Sequence, residues 1–202
     1  MKDKFIPIVN LLFEVGMLAK TPRSFSGFLG SGQQSVAEHT NRVIYIGFVL
    51  AMMESDVDVG KIMKMCLFHD LAEARTGDLN YVNQKYVESD EEKVIQELAA
   101  TLPFGDEILA VLDEYKQRQT KEAILAKDAD NIEFILSLKE QLDTGNTRAA
   151  TWIPSAQKRL KSPVGQFLAE KIIETQSDEW WFSDKDDTWW VSRDGANHQK
   201  RF

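Results

Sequence analysis

Residues 67–80 read LFHDLAEARTGDLN, which sets His69 beside Asp70 and brings Glu73 and Asp78 within nine residues of the histidine. Ionised groups are costly to bury without partners, so such a cluster is a surface, a salt-bridge network or a set of side chains sharing a cation. A second histidine, His39, stands upstream on its own apolar stripe. For either histidine taken singly, a hydrogen-bonded core residue is the commoner case. The pair, with an aspartate adjoining one of them, favours ligation. Neutral imidazoles with carboxylates suit Zn, Fe, Co or Mn and leave positions for water on an octahedral ion. The chemistry such a centre supports is activation of water at neutral pH and withdrawal of charge from an oxyanion.

These groups have to be carried by helices. The spacing predicts a helix from about Val59 to Ala74, with Ile62, Cys66, His69 and Glu73 on one face at steps of four, three and four. His39 continues with Val43, Ile46 and Leu50 on a preceding helix, whose start is marked by Ser35 and Glu38 in capping-box spacing. A further ligand is expected from AKDADNIEF on the long helix Lys121–Leu142, closed by Gly145. Two aspartates compete there. Asp128 lies nearer the centre of the stripe Ile124, Ile132 and Ile135, so periodicity alone selects it over Asp130.

The remaining periodicity is also helical. It covers Phe5–Leu18, a segment opened by Ser89 and Glu92 that ends near Pro103, the run GDEILAVLDEYKQ, and a helix capped by Ser162 with Pro163 at its first position and reaching Glu174. KTPRSFSGFLGSGQQ reads as a loop. No strand alternation or internal repeat is evident, so the expected class is all-α, a compact multi-helix globule over residues 1–176 with a Trp-rich tail over 177–202. In that tail Trp180 and Trp181 are echoed by Trp189 and Trp190, and His198 follows. Aromatics this dense are expected to pack on the body or on a second subunit.

Composition limits the partners. The chain has 202 residues, 43% hydrophobic, enough for one substantial core. The balance of 24 Lys+Arg against 32 Asp+Glu, net −8, argues against a nucleic acid polymer as partner, while a few local cations still hold one phosphate. Cys66 is the only cysteine, which excludes an intrachain disulfide, and the N-terminal stretch lacks a leader-like apolar run. No stretch approaches the ~20 apolar residues of a membrane span. No membrane partner is therefore expected, and the cytoplasm is the default location.

The strings SVAEHT, FHDLAEARTGDL, AKDADNIEFILSL and LDTGN, in that order between about Lys20 and Asn146, resemble the HD-domain phosphohydrolases, in particular their 5'-deoxynucleotidase branch. The resemblance implies metal ligands at His39, His69, Asp70 and Asp130. Its register selects Asp130, with Glu133 three residues behind, over Asp128. It implies one divalent metal ion per chain, drawn from Co, Mn, Zn, Fe, Ni or Mg, a small-molecule nucleotide substrate and a homodimer. Glu73 and Asp78 match acidic residues beside the activated water and the leaving group, and Arg23 matches an arginine that holds the substrate phosphate. The branch carries a tryptophan just after that arginine which favours sugars lacking a 2'-hydroxyl; this sequence offers Phe25 or Phe28 instead.

The function expected on this basis is a metal-dependent phosphomonoesterase acting on (deoxy)nucleoside 5'-monophosphates. Three alternatives stay open. Alarmone hydrolases of guanosine polyphosphates share the scaffold but carry a Glu-Asp pair where this chain has Glu73 and Ala74. Di-iron oxygenases of the superfamily need more imidazoles than His39 and His69. A non-enzymatic binding module would keep the metal as a structural element and use the tail as its partner surface.

Overall fold

The structure is a computed structural model that describes residues 2–187. The helices are α1 (Lys2–Val15), α2 (Ser26–Leu29), α3 (Val36–Met53), α4 (Val59–Phe68), α5 (Glu73–Thr76), α6 (Glu91–Ala99), α7 (Gly105–Gln117), α8 (Lys121–Asp143), α9 (Ile153–Gln157), α10 (Pro163–Glu174) and α11 (Glu179–Phe182). Among the described residues there is no β-strand, only a bridge between Pro22 and Ser35, so the all-α expectation holds.

Helix α8 is the axis of the molecule, packed by α3, α4, α7, α9 and α10. Its buried residues therefore include Ala126, Ala129, Ile132, Ile135 and Leu138 together with the polar Asp128, Asn131, Glu133 and Ser137. A helix covered on several sides has no single buried stripe. Helix α3 crosses α4 closely because Gly47 has no side chain: a Cβ there would stand 2.5 Å from the Cys66 sulphur. That approach brings the first turn of α3 and the last of α4, one histidine each, to the same end of the bundle.

The sequence-predicted helix from Val59 to Ala74 is broken. Helix α4 stops at Phe68 with His69 as its C-cap, residues 69–72 form turns, and α5 begins at Glu73. Burial explains the break. Leu71 and Ala72 are sunk in a satellite core with Leu11, Ile95, Leu98 and Ile108, and a straight helix could not serve that core and the main one at once. Burying a leucine contributes about 1.5–3 kcal/mol, and the turn keeps backbone bonds from Leu71, Glu73 and Ala74 to carbonyls three residues back, so the break costs little. The turn leaves Asp70 at the open side, and Gly77, with φ of 74°, redirects the chain toward Asp78.

Two further boundaries differ. The Ser35–Glu38 capping box forms, but the one expected at Ser89 and Glu92 does not: Asp90 caps α6 by accepting from Lys93 N. Helix α1 ends at Val15 rather than Leu18, through turns in which Leu18 is nonetheless buried. In the tail, Trp180 is 85% exposed, so it does not pack on the body, while Trp181 stacks on Phe182 with ring centroids 5.3 Å apart. Trp189, Trp190 and His198 lie outside the described residues.

Candidate metal centre

The candidate ligands come from four places: His39 from the first turn of α3, His69 from the end of α4, Asp70 from the turn that follows, and Asp130 from the middle of α8. His39 Nε2 lies 3.2 Å from His69 Nε2, and 3.3 Å from both Asp70 Oδ2 and Asp130 Oδ1. His69 Nε2 is 3.2 Å from the same Asp70 oxygen and 4.0 Å from Asp130 Oδ1. His39, His69 and Asp70 thus offer three donor atoms close enough together to share one ion, with Asp130 Oδ1 flanking the two imidazoles.

The protonation pattern agrees. His69 Nδ1 donates to the Cys66 carbonyl at 2.9 Å, and His39 Nδ1 donates to Glu133 Oε2 at 2.6 Å. With Nδ1 so engaged, the neutral form of each imidazole would turn an Nε2 lone pair toward the carboxylate oxygens, an all-acceptor cluster that only positive charge, a proton or a cation, can satisfy. An Nδ1 tied to a carboxylate or carbonyl is the usual support of a ligating histidine. The residues thus fit a divalent ion. Burial opposes charge on His39, yet Asp130, Asp70 and Glu133 hold its pKa well above the usual imidazole value. Burial likewise opposes charge on Asp70, but His69 and His39 hold it well below the carboxylate range. A proton is thus the competitor for the cation's place.

Glu133, read in the sequence only as a register mark, proves to be the hub behind His39. It is fully buried and accepts from Arg42 Nε at 3.0 Å, Arg42 Nη2 at 2.7 Å, Gln34 Nε2 at 2.7 Å and Ser137 Oγ at 3.1 Å. Burial alone would raise its pKa; His39, Arg42 and Gln34 bring it down to about 2. Glu133→Gln is expected to weaken divalent-ion affinity about 10- to 100-fold by loosening the His39 tautomer, measured by competition with a chelator. Unchanged affinity would show that Glu133 serves folding alone.

Asp128 and Asp130 are separated by function. Asp128, 1% exposed, accepts from Lys161 N and Ser162 N at 3.0 and 2.7 Å and from Ser162 Oγ at 2.6 Å. It is tied to the start of α10. Asp130 instead faces His39 and His69, with Lys127 Nζ 2.6 Å from its other oxygen.

Arg23, Glu73 and Asp78 gather beside the cluster. The loop carrying Arg23 is closed at its base by Arg23 N to Gln34 O at 2.8 Å and Val36 N to Thr21 O at 2.9 Å. Arg23 Nη1 is 3.3 Å from Asp70 Oδ2 and 3.2 Å from Asp78 Oδ2, while its Nε is buried without a partner. Asp78 also accepts from Ser24 N and Oγ at 3.2 and 3.0 Å. Glu73 Oε2 is buried and unpartnered; burial first, then Asp70 and Asp78, push its pKa up to about 9. A cation alongside acts in the opposite direction. All three line a cleft of about 780 Å³ whose floor is Asp70 and Asp130. Phe25 is on its wall, edge-on to Phe134 at 5.1 Å, and Phe28 is not. Lys127, Arg118 and Arg159 also line it, with no periodic or motif signal in the sequence to mark them.

The family described as HD domain matches residues 15–172. The chain belongs to the HD-domain family. The match covers every candidate residue above, from Arg23 to Asp130. Over 118 residues the chain is 34% identical to a protein of Dictyostelium discoideum named 5'-deoxynucleotidase HDDC2, spanning 53% of this chain and 62% of that relative. It is 31% identical over 173 residues to the Danio rerio protein of the same name, spanning 81% of this chain and 84% of the other. Among solved structures, a conserved hypothetical protein from Pyrococcus furiosus superposes with a TM-score of 0.69 at 28% identity, covering 83% of this HD-domain chain and 99% of its own.

Proposed function

We propose that this HD-domain chain is a metal-dependent phosphohydrolase that releases phosphate from nucleoside 5'-monophosphates. The observation that carries the reading is the close grouping of His39, His69 and Asp70, flanked by Asp130, with the buried Glu73 carboxyl and Arg23 alongside in a nucleotide-sized cleft. The names of the two curated relatives favour the monophosphate branch. Among the described residues only His39 and His69 supply imidazoles, which disfavours a di-iron centre.

His39, His69 and Asp70, with Asp130 beside them, would hold a divalent ion, which when bound would supply positive charge to a phosphoryl oxygen and acidify water toward neutral pH. Phosphoryl transfer otherwise needs alignment and charge neutralisation, and this chain's residues divide that work. Arg23 holds the non-reacting phosphate oxygens with its planar fork. Glu73, whose carboxyl a bound cation would bring down in pKa, orients the attacking water and takes its proton. Asp78, fixed by Ser24 and Arg23, is assigned the proton relay to the departing sugar oxygen. Phe25 walls the sugar side in place of the branch's tryptophan. Phosphate release from ribo- and deoxynucleoside 5'-monophosphates with Co, Mn, Zn, Fe, Ni and Mg tests the proposal. Turnover of an alarmone but of no monophosphate would place the chain in another branch, and no turnover of any phosphate ester would favour a binding module.

The proposal includes a homodimer in the cytoplasm. Helix α3 exposes Tyr45, Phe48, Val49 and Met52 at three- and four-residue steps, an apolar face of the kind that marks an interface. Among the described residues no helix is long and apolar enough to cross a membrane. Phe48→Glu is expected to halve the sedimenting mass; a wild-type chain that sediments as a monomer overturns the dimer.

A further inference from the structure

We infer that Arg159 reads the nucleobase and favours guanine, a specificity role that rests on the nucleotide reading above. Residue 159 belongs to the short segment between α9 and α10, far along the chain from the HD motif, yet its guanidinium lines the same cleft as Asp70, Glu73 and Arg23.

The segment is held rigidly. Leu160 is buried in the main core, and Asp128 grips the next two backbone amides, Lys161 N and Ser162 N. The aspartate that competed with Asp130 for the metal thus positions the far wall of the cleft. On that wall Arg159 Nη1 donates to Tyr81 Oη at 2.8 Å, and its Cζ lies 5.2 Å from the Tyr81 ring centroid and 5.8 Å from that of Phe134. Phe134 in turn meets Phe25. Phe25, Phe134, Arg159 and Tyr81 form a π-rich surface suited to a planar ring.

Arg159 differs from the other arginines of the cleft and from its lysines, Lys127 and Lys161, which present a point charge rather than a fork. Arg23 and Lys127 hold carboxylates, and Arg118 lies over the Tyr115 ring with its Cζ 3.5 Å from the centroid. Among the described residues, the hydrogen bond from Arg159 goes to a neutral phenol, so most of its five donors remain for a ligand. A guanidinium fork matches the paired acceptors N7 and O6 of guanine. Adenine sets an amino donor beside N7 and repels it.

The test compares dGMP, dAMP and the base-free 2-deoxyribose 5-phosphate on wild type, Arg159→Ala and Arg159→Lys. Wild type is expected to prefer dGMP to dAMP about 10- to 100-fold in kcat/KM. Both variants should lose that preference, chiefly through KM, while the base-free ester changes less than about twofold, since Arg159 touches neither the phosphate nor the metal ligands. Lysine keeps the charge without the fork, so full rescue by Arg159→Lys would overturn base reading in favour of simple anion attraction. Equal losses on the base-free ester, or a wild type indifferent to the base, would overturn it too. Calorimetry with dGMP and dAMP on chelator-treated protein separates the two claims. Selective dGMP binding without phosphate release overturns the reaction and keeps the base reader; turnover of both bases alike does the reverse.

Discussion

Asp70→Ala is expected to strip the divalent ion from the protein and cut phosphate release at least about 10³-fold, the rate equivalent of the several kcal/mol a metal contributes. Asp70 Oδ2 is the one oxygen within 3.3 Å of both His39 and His69 Nε2, and it also steadies Arg23. On the proposed reading, its loss removes a ligand and frees the phosphate clamp together. Asp130→Ala should behave alike. Asp128→Ala should not: it leaves the ligand atoms in place but takes the acceptor from Lys161 N, Ser162 N and Ser162 Oγ, a stability cost of about 1–3 kcal/mol read as a lowered Tm. Metal content by mass spectrometry on the three folded variants decides. A full metal complement in Asp70→Ala or Asp130→Ala, or a metal-free Asp128→Ala, would mean the centre is drawn wrongly.

Glu73→Ala carries the second large effect and separates catalysis from ligation. Glu73 is outside the candidate ligands, its Oε2 has no partner, and burial, then Asp70 and Asp78, hold its pKa at about 9 in the absence of a cation. A base in that position should cost about 10²- to 10⁴-fold in turnover when removed, with metal content and nucleotide affinity retained. There is a stability consequence of known sign. A group whose folded pKa is raised from 4.5 to about 9 binds a proton that the unfolded chain releases, so its contribution falls as pH rises between those values. In chelator-treated protein, Glu73→Gln should therefore gain stability relative to wild type at pH 8 compared with pH 5. A variant that turns over at the wild-type rate, or that loses its metal, would pass the role of base to Asp78.

Much of this was legible before any fold was known. His39 and His69 stand on apolar stripes at three- and four-residue steps, Ser35 and Glu38 mark a capping box that forms, and the order of histidine, His-Asp doublet and distal aspartate resembles one family. Such features follow from local geometry, because a helix converts sequence spacing directly into a shared face. The sequence by itself determined an all-α chain with its metal-binding residue types at particular turns.

What depended on long-range packing was not legible. The helix through His69 reads as continuous, and only the satellite core around Leu71 and Ala72 explains why it breaks and leaves Asp70 facing the cleft. Periodicity favours Asp128 because that residue is indeed buried, but burial on α8 has several directions: one leads to the amides before α10, another to the histidines. Glu133 and Arg159 take their meaning from partners that are 94 and 78 residues away in the chain. Spacing can place a side chain on a face of its own helix; which distant group that face meets is decided when the helices pack, and there the tertiary structure alone chose the ligands' neighbours and the walls of the cleft.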